Sequence, residues 1–155
     1  MEAIWTSAVA VLGTLLGAVV THAFQRLAAR RTERFTRSEA LRQERIAAYG
    51  AFAGALEDYR HGQTARWYRA QEDPRGPSFT AARDEAHRLR TAARQALYRV
   101  RLLTDDQEVV RAAERAYRCV WEVSNAVDQA DRDARDADAR EAIEGFVTGA
   151  GPLVR

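Results

Sequence analysis

Glu72-Asp73-Pro74-Arg75-Gly76-Pro77-Ser78 is the stretch that decides the fold. Proline carries no amide donor and clashes with the preceding helical turn, and the residue before it is pushed out of the helical region. Two prolines around a glycine therefore stop any helix arriving from the N-terminal side. The run has the length of a helix-helix connection, so the chain turns back here and the segments on either side pack as antiparallel neighbours.

Downstream, Ala82, Ala86, Leu89, Ala93, Ala96, Val100 and Leu103 alternate four and three residues apart, which places them on one stripe of a helix. Thr104-Asp105-Asp106-Gln107 has capping-box spacing and predicts the start of a third helix. Its seam is Val109, Ala113, Ala116, Val120, Val123, Val127, Ala130 and Ala134, widened by Tyr117 and Trp121. Within Asp128 to Arg140, the pairs Asp128/Arg132, Asp131/Arg135 and Asp136/Arg140 stand four apart with the acid first, the order that favours ion pairs on a solvated helix surface. Ala142, Ile143, Phe146 and Val147 then offer a short apolar patch, read as a fourth short helix or an extension of the third.

Upstream of the turn, Arg26 to Tyr68 contains no proline and reads as helix, with Ile46, Tyr49, Ala53, Leu56 and Tyr59 at core spacing. Residues 26–45 are mostly polar and read as a basic juxtamembrane stalk. Thr36-Arg37-Ser38-Glu39 fits a second capping box and marks a possible helix restart. Between His22 and Ala48 there are seven Arg against three Glu. All 24 basic residues of the chain are Arg, which together with its high Ala content reflects a GC-rich genome more than a selected chemistry.

From Ala3 to Gln25 the chain carries no charged residue unless His22 is protonated, and AIWTSAVAVLGTLLGAVVTHAF is long enough to cross a hydrocarbon core of ~30 Å as a helix. The start lacks the basic region, and the end lacks the small-residue cleavage site, of a signal peptide. Arg26, Arg30, Arg31, Arg34 and Arg37 on one flank, against Glu2 on the other, predict an N-terminus outside and a C-terminal domain in the cytoplasm. The same five arginines are placed to contact anionic lipid. Ala10, Gly13 and Gly17 share one face of the span and would let two copies approach closely.

The expected architecture is all-α: a transmembrane anchor at 1–25, a basic stalk at 26–45, and an antiparallel bundle of three to four helices at 46–155. The location is the plasma membrane, with a single pass.

Few residues suggest chemistry. Asp58-Tyr59-Arg60-His61 and Asp84-Glu85-Ala86-His87 each set a carboxylate and an imidazole three apart, and the hairpin would bring both to similar heights. Asp58, His61, Asp84 and His87 are thus the metal candidates, although the seams turn them outward, whereas metal sites in bundles need inward ligands. The Asp131/Asp133 and Asp136/Asp138 pairs lack the glycine and terminal glutamate of a calcium loop. Cys119 has no second cysteine to pair with and sits beside a seam, so it reads as an inert, partly buried thiol. No catalytic residue and no cofactor site emerges. Nucleic acid ranks last among partners, because no base-stacking aromatics interleave with the Arg run.

The uncharged N-terminal span, the Arg-rich helix and Glu44-Arg45-Ile46-Ala47-Ala48-Tyr49-Gly50-Ala51-Phe52 leading into a hairpin resemble small uncharacterised single-pass membrane proteins of high-GC Gram-positive bacteria. That resemblance implies the architecture and no activity. The leading functional expectation is a non-enzymatic interaction or assembly module, bound to the bilayer and either self-associating through the span or the bundle or recruiting another protein. The alternative is a metal- or ligand-binding enzyme using His61 and His87.

Overall fold

The computed structural model describes the backbone of residues 2–155 and the side chains of residue 25 and of residues 35–155. Four α-helices follow one another: α1 (Glu2–Glu72), α2 (Pro77–Leu103), α3 (Gln107–Glu122) and α4 (Gln129–Ala150). Short 3-10 turns follow α3 at Val123–Asn125 and α4 at Gly151–Val154. The chain forms two compact units, residues 1–40 and residues 41–155, and α1 contributes to both. The first unit is helical from Glu2 onward. The second is a four-helix bundle.

Of the two readings open at Thr36, a restart or one unbroken helix, the structure has the second. Helix α1 passes through it, and the Ser38 hydroxyl donates to the Phe35 carbonyl at 2.8 Å, a bond made inside a continuing helix.

Inside the bundle, α1 buries Tyr49, Phe52, Leu56, Tyr59, Gln63 and Trp67, a row at three- and four-residue spacing. The stripe is rotated from the expected one. Phe52, fully buried, takes the centre; Ala53 falls to its edge and Ile46 is exposed. The physical reason is volume, since a phenyl ring removes far more apolar surface from water than an alanine methyl.

Helix direction follows from the contacts. Against α4, Phe146 stands edge-on to Phe52 with ring centroids 5.0 Å apart and to Tyr49 at 6.0 Å, while Arg60 meets Asp136 further up α1. Rising numbers on α1 meet falling numbers on α4, so the two are antiparallel. Against α3, Tyr59 lies beside Tyr117 and Gln63 reaches the Trp121 carbonyl, so this pair is parallel. Against α2, Arg45 donates to the Leu103 carbonyl at 2.8 Å, and Gly62 faces Ala86 and Leu89 of α2. A Cβ at Gly62 would sit 2.6 Å from Leu89 Cδ1 and 3.7 Å from Ala86 Cα. The result is the up-and-down arrangement that short connections favour.

The α2 seam matches expectation at Ala86, Ala93 and Val100, with Leu97 added. Helix α3 starts two residues later than expected: Asp106, not Thr104, caps it, accepting from the Glu108 and Val109 amides at 2.8 and 3.2 Å. Thr104 is buried and takes the Asp106 amide instead.

The larger departure is past Val123. The expected third helix through Ala134 ends at Glu122; Val127 is 83% exposed, and Ala130 and Ala134 are exposed too. Asp128 accepts from the Asp131 amide at 2.8 Å and Asp131 returns to the Val127 amide at 3.0 Å. This reciprocal cap, built from two aspartates, starts α4 afresh. The new helix buries Arg132, Asp136, Ala139, Ile143, Phe146 and Ala150. The Asp/Arg run expected to be solvated therefore turns two of its charges inward.

Phe146→Ala empties the position where the α1 and α4 aromatics meet. We expect it to lower the unfolding free energy by about 3–5 kcal/mol in urea denaturation, the range for truncating a buried aromatic; a loss below ~1 kcal/mol would contradict this packing.

Candidate functional site

The buried charges of the bundle form a network. Arg60 donates from Nε and one terminal nitrogen to Glu57 Oε2 at 3.0 and 2.8 Å, and from the other to Asp136 Oδ1 at 2.6 Å. The second Asp136 oxygen is 3.1 Å from Arg140. Burial alone would pull the Arg60 guanidinium down, but the bonds to Glu57 and Asp136 outweigh it and hold Arg60 above its usual value. About two turns further along α1, the Arg132 guanidinium lies 4.8 Å from the Tyr68 ring centre and 5.8 Å from that of Trp67, and donates to the Tyr68 hydroxyl. Gln63 donates to the Trp121 carbonyl at 2.9 Å and to Ser124 Oγ at 3.0 Å, and Trp67 Nε1 to the Ala126 carbonyl at 2.9 Å. These last bonds satisfy acceptors left open where α3 ends. The network is a fastening between α1, α4 and the α3–α4 turn: its charges are compensated, and it fixes relative height.

Sequence reading missed it because the polar residues occupy seam positions. Arg132 and Asp136 begin the inward row of α4, so an Asp/Arg run with surface-pair spacing concealed a core face. The signal was present in Asp128-x-x-Asp131, a cap spelled without the usual Ser or Thr.

The metal candidates are placed differently. Asp58, His61, Asp84 and His87 are all exposed. The close approach at Gly62 does bring the two stretches to the same level. His87 joins Arg90, Thr91 and Arg94 around a shallow depression of about 220 Å³, a basic lining. Among the described residues, no group of three or more His, Cys, Asp or Glu side chains stands together as a metal site would require. Cys119 is half-buried against the core. Ala10, Gly13, Gly17, Arg26, Arg30, Arg31 and Arg34 lie outside the residues whose side chains are described; Arg37 is exposed. No helix among the described residues is long and apolar enough to cross a membrane.

Two larger grooves lie among the described residues of the bundle. One, about 340 Å³ between α1 and α4, is apolar: Ile46, Tyr49, Ala53, Phe146 and Val147 line it with the C-terminal turn. The buried Tyr49 hydroxyl has no hydrogen-bond partner among the described residues. The other, about 740 Å³, runs between α3 and α4. Arg111 and Arg115 stand on its α3 side, Glu141 and Glu144 on its α4 side, and Ala112, Ala142, Gly145 and Gly149 keep its floor low. Among the described residues none of these four charges enters an ion pair, whereas Arg101, Arg132, Arg135 and Arg140 elsewhere on the bundle all do. Gly145 is interior to α4, where glycine costs about 0.5–1 kcal/mol relative to alanine, and Gly149 is in its last turn, yet a Cβ at either would meet nothing within 4 Å. Packing within the chain does not require them.

The family model described as KilB plasmid transfer protein matches residues 46–154. No curated protein and no solved structure matches the chain.

Asp136→Ala strands one arm of Arg60 while Glu57 still holds the other. We expect a loss of about 2–3 kcal/mol in urea unfolding, with most of it regained in the double variant Arg60→Met/Asp136→Leu. A second expectation concerns alkaline pH. Burial pushes the Tyr59 phenol up to about 12, helped by Tyr117 and opposed by Arg90, Arg66 and Arg94. The folded chain then keeps a proton that the unfolded chain loses above pH ~10, so this stabilisation is whole below that pH and is lost as pH rises towards 12. The stability of the native protein minus that of Tyr59→Phe is expected to fall by about 2–3 kcal/mol over this window. A difference that stays flat with pH would contradict it.

Proposed function

The chain belongs to the KilB plasmid transfer protein family, and on that premise we propose that it serves plasmid transfer as a non-enzymatic assembly module held at the plasma membrane. The observation that carries the reading is coverage: the matched residues 46–154 are those that build the bundle. A module of this kind acts through surfaces. Among the described residues the bundle offers an apolar groove and a charged one, both built on α4.

Anchoring belongs to the same proposal and draws its support from sequence. Residues 3–25 are uncharged apart from His22 and long enough to span a bilayer, and the arginines from Arg26 to Arg37 favour a cytoplasmic location for the bundle on their C-terminal side. Contact of that Arg run with anionic headgroups would add attraction of about 1 kcal/mol per charge near the surface. Held at the inner face of the membrane, the bundle would present its grooves to other components of the transfer apparatus.

In cells carrying the plasmid, full-length protein is expected to remain in the membrane fraction after a carbonate wash, and a chain beginning at Leu41 to appear in the soluble fraction. Only the full-length form should restore transfer to a plasmid lacking the gene. Full restoration by the shortened chain would refute the need for an anchor; normal transfer without any copy of the gene would refute the role itself.

A further inference from the structure

We infer that the α3/α4 groove is a self-recognition face, occupied by the same groove of a second copy of this chain. The inference rests on the assembly reading above and names the partner. Its ground is the separation of charge. Arg111 and Arg115, four residues apart on α3, form a positive wall, and Glu141 and Glu144, three apart on α4, form a negative one. All four are exposed, and none is neutralised by an ion pair among the described residues. A surface with opposite charges on its two sides is complementary to itself.

Symmetry then selects one arrangement. Helices α3 and α4 are antiparallel neighbours, as the pairing of Glu122 with Arg135 beside their shared turn shows. A two-fold axis running along the groove sets α3 of each copy over α4 of the other, so each arginine wall faces a glutamate wall at matching height. An axis running across the groove would instead set arginine on arginine and glutamate on glutamate, which repel. The floor suits the first arrangement. Ala112, Ala142, Gly145 and Gly149 are small, and the two glycines leave open space above the α4 backbone, where a facing helix can come close. Glu141, Glu144, Gly145, Thr148 and Gly149 occupy one continuous face of α4, so the glycines lie in the same contact as the charges.

The test uses the full chain in detergent, with mass measured by light scattering. The native protein is expected to be a dimer whose dissociation rises with salt, as screened charge pairs require. Arg111→Glu/Arg115→Glu makes the groove wholly negative, and Glu141→Arg/Glu144→Arg makes it wholly positive. Each variant alone is expected to dissociate at least about tenfold more readily. Mixed in equal amounts and carrying different tags, the two should pair with each other, and the variant bearing all four exchanges should dimerise with itself. Because these side chains make no ion pairs among the described residues, helicity and the unfolding midpoint should stay at native values. Arg111→Gln/Arg115→Gln gives the milder version, with weaker but unrepelled association. A native monomer overturns the inference, as do dimers indifferent to these exchanges, such as would form through the Gly13/Gly17 face, or single-sign variants that do not pair when mixed. The assembly reading fails separately, through membrane extraction and transfer, and either result leaves the other intact.

Discussion

The row from Tyr49 through Phe52, Leu56, Tyr59 and Gln63 to Trp67 on α1 is the surface on which the rest of the bundle depends. Helix α4 meets it at Phe52 and Arg60, and α3 at Tyr59 and Gln63. Helix α2 lies where Gly62 admits Leu89. The facing seams of α2 and α3 are largely alanine and valine, with Ala86, Ala93, Ala113 and Ala116 buried, so most of the ring volume in the core comes from α1 and from Phe146. Small seams allow close helix approach, and a bulky row fills what would otherwise be voids.

Apolar packing of this kind sets affinity between helices more strongly than it sets their relative height, because alanines four residues apart interchange easily. The polar contacts restrict that freedom. Arg60 can satisfy both Glu57 and Asp136 at one height only, and the Trp67 indole and Gln63 amide find their carbonyls only if the α3–α4 turn is correctly placed. At the other end, Arg45 and Arg42 cover the carbonyls of Leu103 and Val154. Arginine serves here as a fastener with several donors, a use that its planar fork suits better than an ammonium would.

The charges divide into two populations. Those between α1 and α4 are internal and compensated, whereas those along the α3/α4 groove are exposed and separated by sign. For a member of the KilB plasmid transfer family, the second population is the ground of the self-recognition proposed above, and it leaves the core untouched.

The sequence by itself determined the helical class, the turn at Pro74 to Pro77, the α2 seam and the α3 seam as far as Val123. These are local matters: proline excludes helix, and apolar residues repeating every three or four positions must share a face. It also carried the uncharged run 3–25 and its basic flank, most of which lie outside the described side chains. Only the tertiary structure decided that Arg132 and Asp136 point inward, that Phe52 displaces Ala53 from the centre of the α1 stripe, and that Arg111, Arg115, Glu141 and Glu144 stand around one groove. Whether a charge is buried depends on whether a partner waits on another helix, and Arg60 lies 76 residues away from Asp136. Periodicity along one helix holds no information about that partner; packing supplies it.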